Sequence, residues 1–296
     1  MKLKINTSRK KLIVELDGGL GNQLFQYCAG HYFGDLLDSQ VVYDTFRLEK
    51  INHLHPGLNI SQLGFPGNYA KSGVISRLRI RVLRSIWRRL GAQKNTEIGF
   101  QPYPSNLGLT NRVFGSFQSW RYFQHTFDKL MPKVRLPVLS EPTAWYSQLE
   151  KELKTVGPII LHVRRSDYLK KENAFIGLLS QSYYATAITV LNLDKPIWVF
   201  SDDIDLVKNE FRSLAPKINR WIEPPPESDP YESMLLMGLG SALIIANSTF
   251  SLWAGMLAED STVVAPSKWF RGRTDPTDLL PASWKKSESE WINDNN

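Results

Sequence analysis

Pro158-Ile-Ile-Leu-His-Val-Arg-Arg-Ser-Asp-Tyr168 is the stretch from which the fold of this chain can be read. Pro158 to Val163 carries no Asp, Glu, Lys or Arg and follows Gly157, and a proline can open a strand but cannot donate from inside one. A strand so apolar on both faces belongs in the middle of a parallel sheet covered on both sides. Arg164 and Arg165 leave its carboxyl end, the edge of an open α/β sheet where ligands bind. The planar fork of arginine grips phosphate or carboxylate bidentately. The plainer alternative is a strand-end pair neutralised by Asp167.

Outward from this strand, the second half of the chain alternates. A helix is expected over Thr143 to Thr155 before it and another at about Ser182 to Leu191 after it. Then come the strand Pro196-Ile-Trp-Val-Phe200, a helix capped within Ser201-Asp-Asp-Ile-Asp205, a helix opening at Asp229-Pro-Tyr-Glu, the strand Ala242-Leu-Ile-Ile-Ala246, a helix from Asn247-Ser-Thr-Phe-Ser251 and the strand Ser261-Thr-Val-Val-Ala265. Strands alternating with helices predict a parallel α/β domain. Ser233 to Ala258 has no charged residue and is long enough to span a bilayer. Its interspersed glycines, serines and Asn247 fit helix, strand and helix around a covered sheet instead.

The first half opens with the strand Lys11-Leu-Ile-Val-Glu-Leu16, the glycine-rich turn Asp17-Gly-Gly-Leu-Gly-Asn-Gln23 and a helix from Leu24 toward Leu37. Gln40-Val-Val-Tyr-Asp44 completes a βαβ unit. Strand, glycine-rich turn and helix bring backbone amides close to a phosphate or sugar; a purely structural tight turn reads the same way. The spacing is not that of the dinucleotide fingerprint, and no Gly-Lys-Ser/Thr follows, which excludes an ATPase phosphate loop. Aromatics crowd Val113 to Phe127, a pattern of core packing or of rings stacked on sugars. Three prolines in Met131 to Pro142 mark a boundary, giving domains 1–140 and 141–296.

Size and charge narrow the function. The chain has 296 residues, 42% hydrophobic and 22% charged, with a net charge of +7. That composition is globular, and the basic excess suits a polyanionic partner such as a nucleotide diphosphate, an anionic bilayer or nucleic acid. A single cysteine, Cys28, excludes an internal disulfide and multi-cysteine metal sites and fits a reducing cytoplasm. Leu12-Ile13-Val14 runs at once into Glu15, too short for a signal peptide. Ile75 to Leu90 carries six arginines opposite an apolar stripe of Ile75, Leu78, Val82, Ile86 and Leu90. This is the pattern of a helix lying on an anionic membrane, or of one docked on its own domain. The expectation is a cytoplasmic protein in which Ile75–Leu90 either makes peripheral contact with the inner membrane or docks on its own domain. No nucleic-acid module is recognisable, so no nucleic-acid partner is expected.

Three strand ends converge on one edge: Arg164 with Arg165, Asp202 with Asp203, and the Asn247-Ser-Thr-Phe250 turn. Helix-terminal amides and hydroxyls suit a diphosphate, and the aspartates suit purine or ribose donors. Asp203-Ile-Asp205 also has the form of a metal-binding Asp-X-Asp pair, against which stands simple helix capping. No histidine spacing makes a metal signature.

Gly18-Gly-Leu-Gly-Asn-Gln-Leu-Phe-Gln-Tyr27, Gly115-Ser-Phe-Gln118, His162-Val-Arg-Arg-Ser-Asp-Tyr168, Phe200-Ser-Asp-Asp203 and Ile245-Ala-Asn-Ser-Thr-Phe-Ser251 occur in the order found in the α-1,2-fucosyltransferase family, and the chain resembles that family over nearly its whole length. Ser166 stands where glycine is usual, Cys28 where alanine is common and Leu252-Trp-Ala254 where Trp-Trp-Gly is common. The resemblance implies a bacterial, inverting enzyme of the glycosyltransferase B type, with two Rossmann-like domains facing a central cleft, the first on the acceptor side and the second binding GDP-β-L-fucose. It implies transfer to the 2-hydroxyl of a galactose-type acceptor, a glycan or lipid-linked oligosaccharide of O-antigen kind, with no metal or other cofactor. By the same match Arg164 contacts the donor diphosphate, and His162, Asp202 and Asp203 lie at the guanine and ribose. Asn247, Ser248, Thr249 and Phe250 lie at the diphosphate and fucose, and Asn22 lies near the reacting centre among Gly18, Gly19, Gly21 and Gln23. Arg165, Asp167 and Tyr168 are expected in support. The base that takes the acceptor proton is left open among Asp17, Asp35, Asp44, Glu172 and the donor phosphate. The alternatives outside this class are a non-catalytic nucleotide-sugar sensor and a basic nucleic-acid-binding protein.

Overall fold

The structure is a computed structural model that describes residues 10–51, 60–71, 82, 99–104, 111–125, 129, 142–276 and 278–292. The chain divides into two compact units, Met1–Pro137 and Val138–Asn296. The proline-rich stretch 131–141 and, apart from Val82, the arginine-rich stretch 75–90 lie outside the described residues; Val82, read as part of an apolar stripe, is exposed.

In the first unit, β1 (Lys11–Glu15) leads through α1 (Leu20–Leu36) to β2 (Gln40–Asp44), followed by α2 (Phe46–Ile51), β3 (Tyr69–Ala70) and β4 (Arg112–Val113). All pairings are parallel, in the order β3-β2-β1-β4. The chain moves outward from β1 to β3 and then returns to the other side of β1. The order therefore reverses between β1 and β4, and their carboxyl ends flank the switch point at which open α/β sheets bind ligands. Leu24, Phe25, Cys28 and Ala29 of α1 are buried against the sheet. The aromatic cluster after β4 is core: Phe117 and Tyr122 are buried in edge-on contact with Phe33.

The second unit contains α3 (Ala144–Val156), β5 (Ile159–Val163), α4 (Gln181–Leu191), β6 (Ile197–Ser201), α5 (Ile204–Glu210), β7 (Ile218–Ile222), α6 (Pro230–Met237), β8 (Ala242–Ile244), α7 (Thr249–Leu257), β9 (Thr262–Pro266) and β10 (Lys285–Ser287). Thr143, Asp203, Asp229 and Ser248 cap α3, α5, α6 and α7 with their side-chain oxygens, satisfying amide donors that each helix start leaves unpaired. Gly157 ends α3 in the left-handed conformation and turns the chain into β5. The six strands are parallel in the order β10-β9-β8-β5-β6-β7. β5 is central. Its five residues are all buried, with Ile159, Ile160, Leu161 and Val163 wholly inaccessible, and each such side chain contributes on the order of 1.5–3 kcal/mol. The charge-free stretch from Ser233 forms α6, β8 and α7 around this sheet, buried almost throughout. No described helix is long and apolar enough to cross a membrane.

Candidate functional site

The second unit reverses strand order between β5 and β8, so the segments leaving those two strands define its ligand-binding edge. β5 pairs with β8 through Leu161 and Ile244; continued, that register sets Arg164 level with Asn247. The two arginines then part company. Arg164 stays at the edge with its side chain 18% exposed. Its Nε and Nη2 donate to Asp167 Oδ1 at 3.1 and 2.6 Å, and Nη1 lies 3.1 Å from Asp202 Oδ2. Burial opposes its charge, but Asp202, Asp167 and Tyr168 outweigh that penalty and raise its pKa. A guanidinium has five N–H groups, so two hydrogen bonds to Asp167 hold the fork in place and leave donors on Nη1 and Nη2 for a ligand.

Arg165 points the other way and is wholly buried. It donates through Nε to Glu210 Oε2 at 2.6 Å, through Nη1 to the Arg164 carbonyl at 2.9 Å and through Nη2 to the Leu179 carbonyl at 3.1 Å, with its guanidinium carbon 5.7 Å from the Phe211 ring centre. It ties the turn after β5 to the end of α5.

Of the aspartates, Asp202 is the hinge of this arrangement: Oδ1 accepts from the Arg165 amide at 2.8 Å while Oδ2 faces Arg164. Asp203 caps α5, accepting from the Leu206 amide at 3.1 Å. Asp205 is almost fully exposed beside Lys208. Among the described residues no group of three or more His, Cys, Asp or Glu side chains is arranged to hold a metal ion.

On the β8 side, Asn247 is buried, and its amide nitrogen donates to three carbonyls, those of Ile176, Gly177 and Trp269, each at 3.1 Å. Three carbonyls take up that nitrogen, which braces the segment after β8 against two loops. Ser248 caps α7 through the Phe250 amide. Thr249 and Phe250 remain partly exposed at the start of that helix, where the helix dipole favours negative charge. Tyr168 donates to the Asn247 carbonyl at 3.1 Å and closes the edge from the β5 side. Burial is the main reason its phenol is pushed up to about 12, so it stays protonated.

His162 sits inside β5, 4% exposed, its ring centre 5.9 Å from that of Phe250. Nδ1 has no hydrogen-bond partner among the described residues. Burial chiefly lowers its pKa to about 4, with Asp202 pulling it up and Arg164 pushing it down. It is a neutral imidazole with one nitrogen unused.

The first unit builds a second edge at the β1/β4 switch point. Gly18, at φ +81°, makes the turn, and Gly19 precedes the first residue of α1. The amides of Asn22 and Gln23 both donate to the Gly19 carbonyl. Gly21, Asn22 and Gln23 are therefore not in a loop, as their glycine-rich setting suggests, but in the first helical turn; two glycines suffice for the reversal. Gln23 donates to the Gly18 carbonyl at 2.9 Å, and Gln26 joins the Asp17 amide to the Gly115 carbonyl at 2.8 and 3.1 Å. Asn22 Oδ1 accepts from Gln118 Nε2 at 2.9 Å.

Among the carboxylates considered as bases, Asp44 is buried with Arg112 Nη1 at 2.5 Å, and Glu15 is 3.3 Å from the same nitrogen. Asp17, 38% exposed, lies 2.5 Å from Arg47. Asp35 is near the far end of α1 and pairs with Lys129 at 2.8 Å. Since α1 starts at the carboxyl edge of its sheet, its far end lies at the opposite edge, which removes Asp35 from the candidates. Glu172 is exposed on the loop after β5.

Sequence reasoning missed Glu210, Gln26 and the contact of Gln118. Glu210 stands 45 residues from Arg165 with nothing in its setting to mark it. Gln118 lay inside a recognised segment, but only the fold shows what it touches.

The model of the family described as glycosyl transferase family 11 matches residues 2–284. An alpha-1,2-colitosyltransferase of Escherichia coli is 27% identical over 294 residues, covering 94% of this chain and 99% of its own. The O-antigen biosynthesis glycosyltransferase WbnK of Escherichia coli is 29% identical over 301 residues, covering 91% and 98%. Among solved structures, the fucosyltransferase NodZ from Bradyrhizobium aligns with a TM-score of 0.48 at 13% identity, covering 85% of this chain and 94% of that one.

Proposed function

The chain belongs to glycosyl transferase family 11, and we propose that it moves L-fucose from GDP-β-L-fucose to the 2-hydroxyl of a galactose-type acceptor, with inversion at the transferred carbon. The acceptor is a glycan or lipid-linked oligosaccharide of O-antigen kind, a reading supported by the relative of that pathway. The observation that carries the proposal is Arg164, whose guanidinium is held by two carboxylates at the switch point, level by register with Asn247 in the segment that leads into α7.

The reaction is a displacement at C1 of fucose. The acceptor oxygen bonds to C1, the bond from C1 to the phosphate oxygen breaks, its electron pair leaves with GDP, and the acceptor hydroxyl gives up its proton. The transition state is oxocarbenium-like on the sugar while negative charge grows on the diphosphate. Arg164 and the start of α7 meet that charge, and donors fixed in advance act most strongly as the bond breaks. Charge neutralised in this way calls for no metal ion. On the first unit Asn22 is read as a contact for the substrate, and on the second neutral His162 offers Nδ1 as an acceptor toward the nucleoside.

A colitosyltransferase among the relatives favours one second reading, transfer of colitose, which lacks the 3-hydroxyl of fucose, by the same displacement. Incubation with GDP-fucose and a galactoside in EDTA, with GDP release as readout, tests donor, turnover and metal together. Arg164→Ala is expected to keep its fold and lose about 10²–10³-fold in rate; near-normal turnover in that variant refutes the role of Arg164. A wild-type enzyme that releases GDP from GDP-colitose and not from GDP-fucose selects the second reading.

A further inference from the structure

The turn after β4 is unusual. Phe117 is a buried, non-glycine residue at φ +47°, a conformation that costs an L-residue energy and that surrounding structure must enforce. The enforcement is visible. A side chain at Gly115 would stand 3.1 Å from the Phe117 ring, and that ring packs edge-on against Phe33 and Tyr122. Gln26 of α1 holds the Gly115 carbonyl while also receiving the Asp17 amide, so one glutamine locks the turns after β4 and β1 together.

The strained turn delivers one polar contact. Gln118 extends to Asn22 and donates from Nε2 to Oδ1 at 2.9 Å. A primary amide has two ends of similar size and opposite polarity, and a donor on Oδ1 settles which end faces outward. Asn22 Nδ2 makes no hydrogen bond among the described residues. It lies so near the Gly18 backbone that a side chain there would meet it at 2.7 Å. Both Asn22 and Gln118 are partly exposed. The pair therefore presents an N–H donor of fixed direction at the β1/β4 edge.

We propose that Gln118 is a positioning residue: through its hydrogen bond to Oδ1 it fixes the Asn22 amide with Nδ2 outward, as a hydrogen-bond donor to an oxygen of the substrate. This rests on the reading of Asn22 as the first unit's contribution to transfer. Phe117 and Gly115 serve the same end by aiming Gln118.

Gln118→Glu keeps the length of the side chain and offers only acceptors, so the Asn22 amide turns round and presents Oδ1 instead. The expected result is a fall in kcat on the order of 10²-fold, the cost of a misplaced group, with KM for the donor changed less than about threefold, the pattern of a contact made in the transition state. Gln118→Met, which removes the hold without reversing polarity, falls less. Combined with Asn22→Ala, Gln118→Glu adds no further loss. Full turnover in Gln118→Glu, or losses that multiply, overturns the proposal. If Asn22→Ala itself turns over normally, both the role of Asn22 and the proposal fail. If the wild-type enzyme releases no GDP from GDP-fucose, the proposed donor fails separately, and ¹⁵N NMR still decides about Gln118. The Asn22 side-chain amide signal, identified by its loss in Asn22→Ala, must move in Gln118→Glu, and a signal that stays in place overturns the proposal.

Discussion

Replacing Arg165 with methionine separates the two adjacent arginines by their effect on stability. The side chain is wholly inaccessible and its three nitrogens are directed at Glu210, the Arg164 carbonyl and the Leu179 carbonyl. Methionine fills much of the volume but donates nothing. Glu210 is 28% exposed and can rehydrate, whereas the Leu179 carbonyl belongs to a residue 1% exposed. An orphaned buried acceptor costs about 1–3 kcal/mol, and one-sided loss of the ion pair, about 3–5 kcal/mol for a fully buried pair, is reduced to about 2 kcal/mol by the rehydration of Glu210. A total of about 3–5 kcal/mol acts on a unit spanning Val138–Asn296, where each kcal/mol moves Tm by about 2–4 °C, so the melting temperature should fall by about 6–20 °C. Arg164→Met is the control. Its partners Asp167 and Asp202 are 33% and 18% exposed, and Asp202 keeps the Arg165 amide, so a smaller loss of about 1–2 kcal/mol is expected. Thermal melts of the full chain by circular dichroism read both variants. An Arg165→Met protein that melts at or above Arg164→Met refutes the division of roles.

Two further outcomes follow from the same edge. His162 has its pKa lowered from 6.5 to about 4; the unfolded chain therefore takes up a proton below about pH 6.5 that the folded chain refuses until about pH 4. The contribution is intact above pH 6.5 and is lost as pH falls through that window, by about 3 kcal/mol in total. His162→Asn should flatten the urea midpoint between pH 7 and 4.5, and parallel decline in variant and wild type would count against the buried neutral imidazole. Asn247→Asp sets carboxylate oxygens against the carbonyls of Ile176, Gly177 and Trp269, whereas Asn247→Ala only leaves those acceptors without a donor, at about 1–3 kcal/mol for each that stays buried. The aspartate variant should melt lower than the alanine variant, and the reverse order would show that Asn247 is not the brace described.

The strands that could be read in the sequence are those buried on both faces. Ile159–Val163, Ile197–Ser201 and Ala242–Ile244 are apolar runs because their surroundings permit nothing else. The edge strands gave no such signal: Ile218–Ile222 carries Asn219 and Arg220, and Lys285–Ser287 begins with two exposed lysines. Two-residue pairings such as Arg112–Val113 are too short to show any periodicity. Capping signals at Thr143, Asp203, Asp229 and Ser248 located helix starts well, since each is a local bond between near neighbours. At α1 the glycines misled, because Gly21 lies inside the helix they were expected to precede.

The position of the candidate edge was legible from topology, whereas the division between its two arginines came from the family resemblance and not from local chemistry. Strand order alone sends the residues after β5 and β8 to one edge, so Arg164, Tyr168 and the Ser248 turn could be placed together from topology. Nothing local distinguishes Arg164 from Arg165. Successive side chains leaving a strand point to opposite faces, so one of the two must enter the space between sheet and helix while the other meets the ligand edge. Which one enters depends on where an acid waits to pair with it. That acid is Glu210, at the last turn of α5, and its placement depends on the β5–β6 register and the length of α5. Two neighbouring residues of identical chemistry thus acquire different surroundings from a partner supplied by a distant helix: the family resemblance set Arg164 apart from Arg165, and Glu210 is the physical reason that Arg165 turns inward while Arg164 stays at the edge.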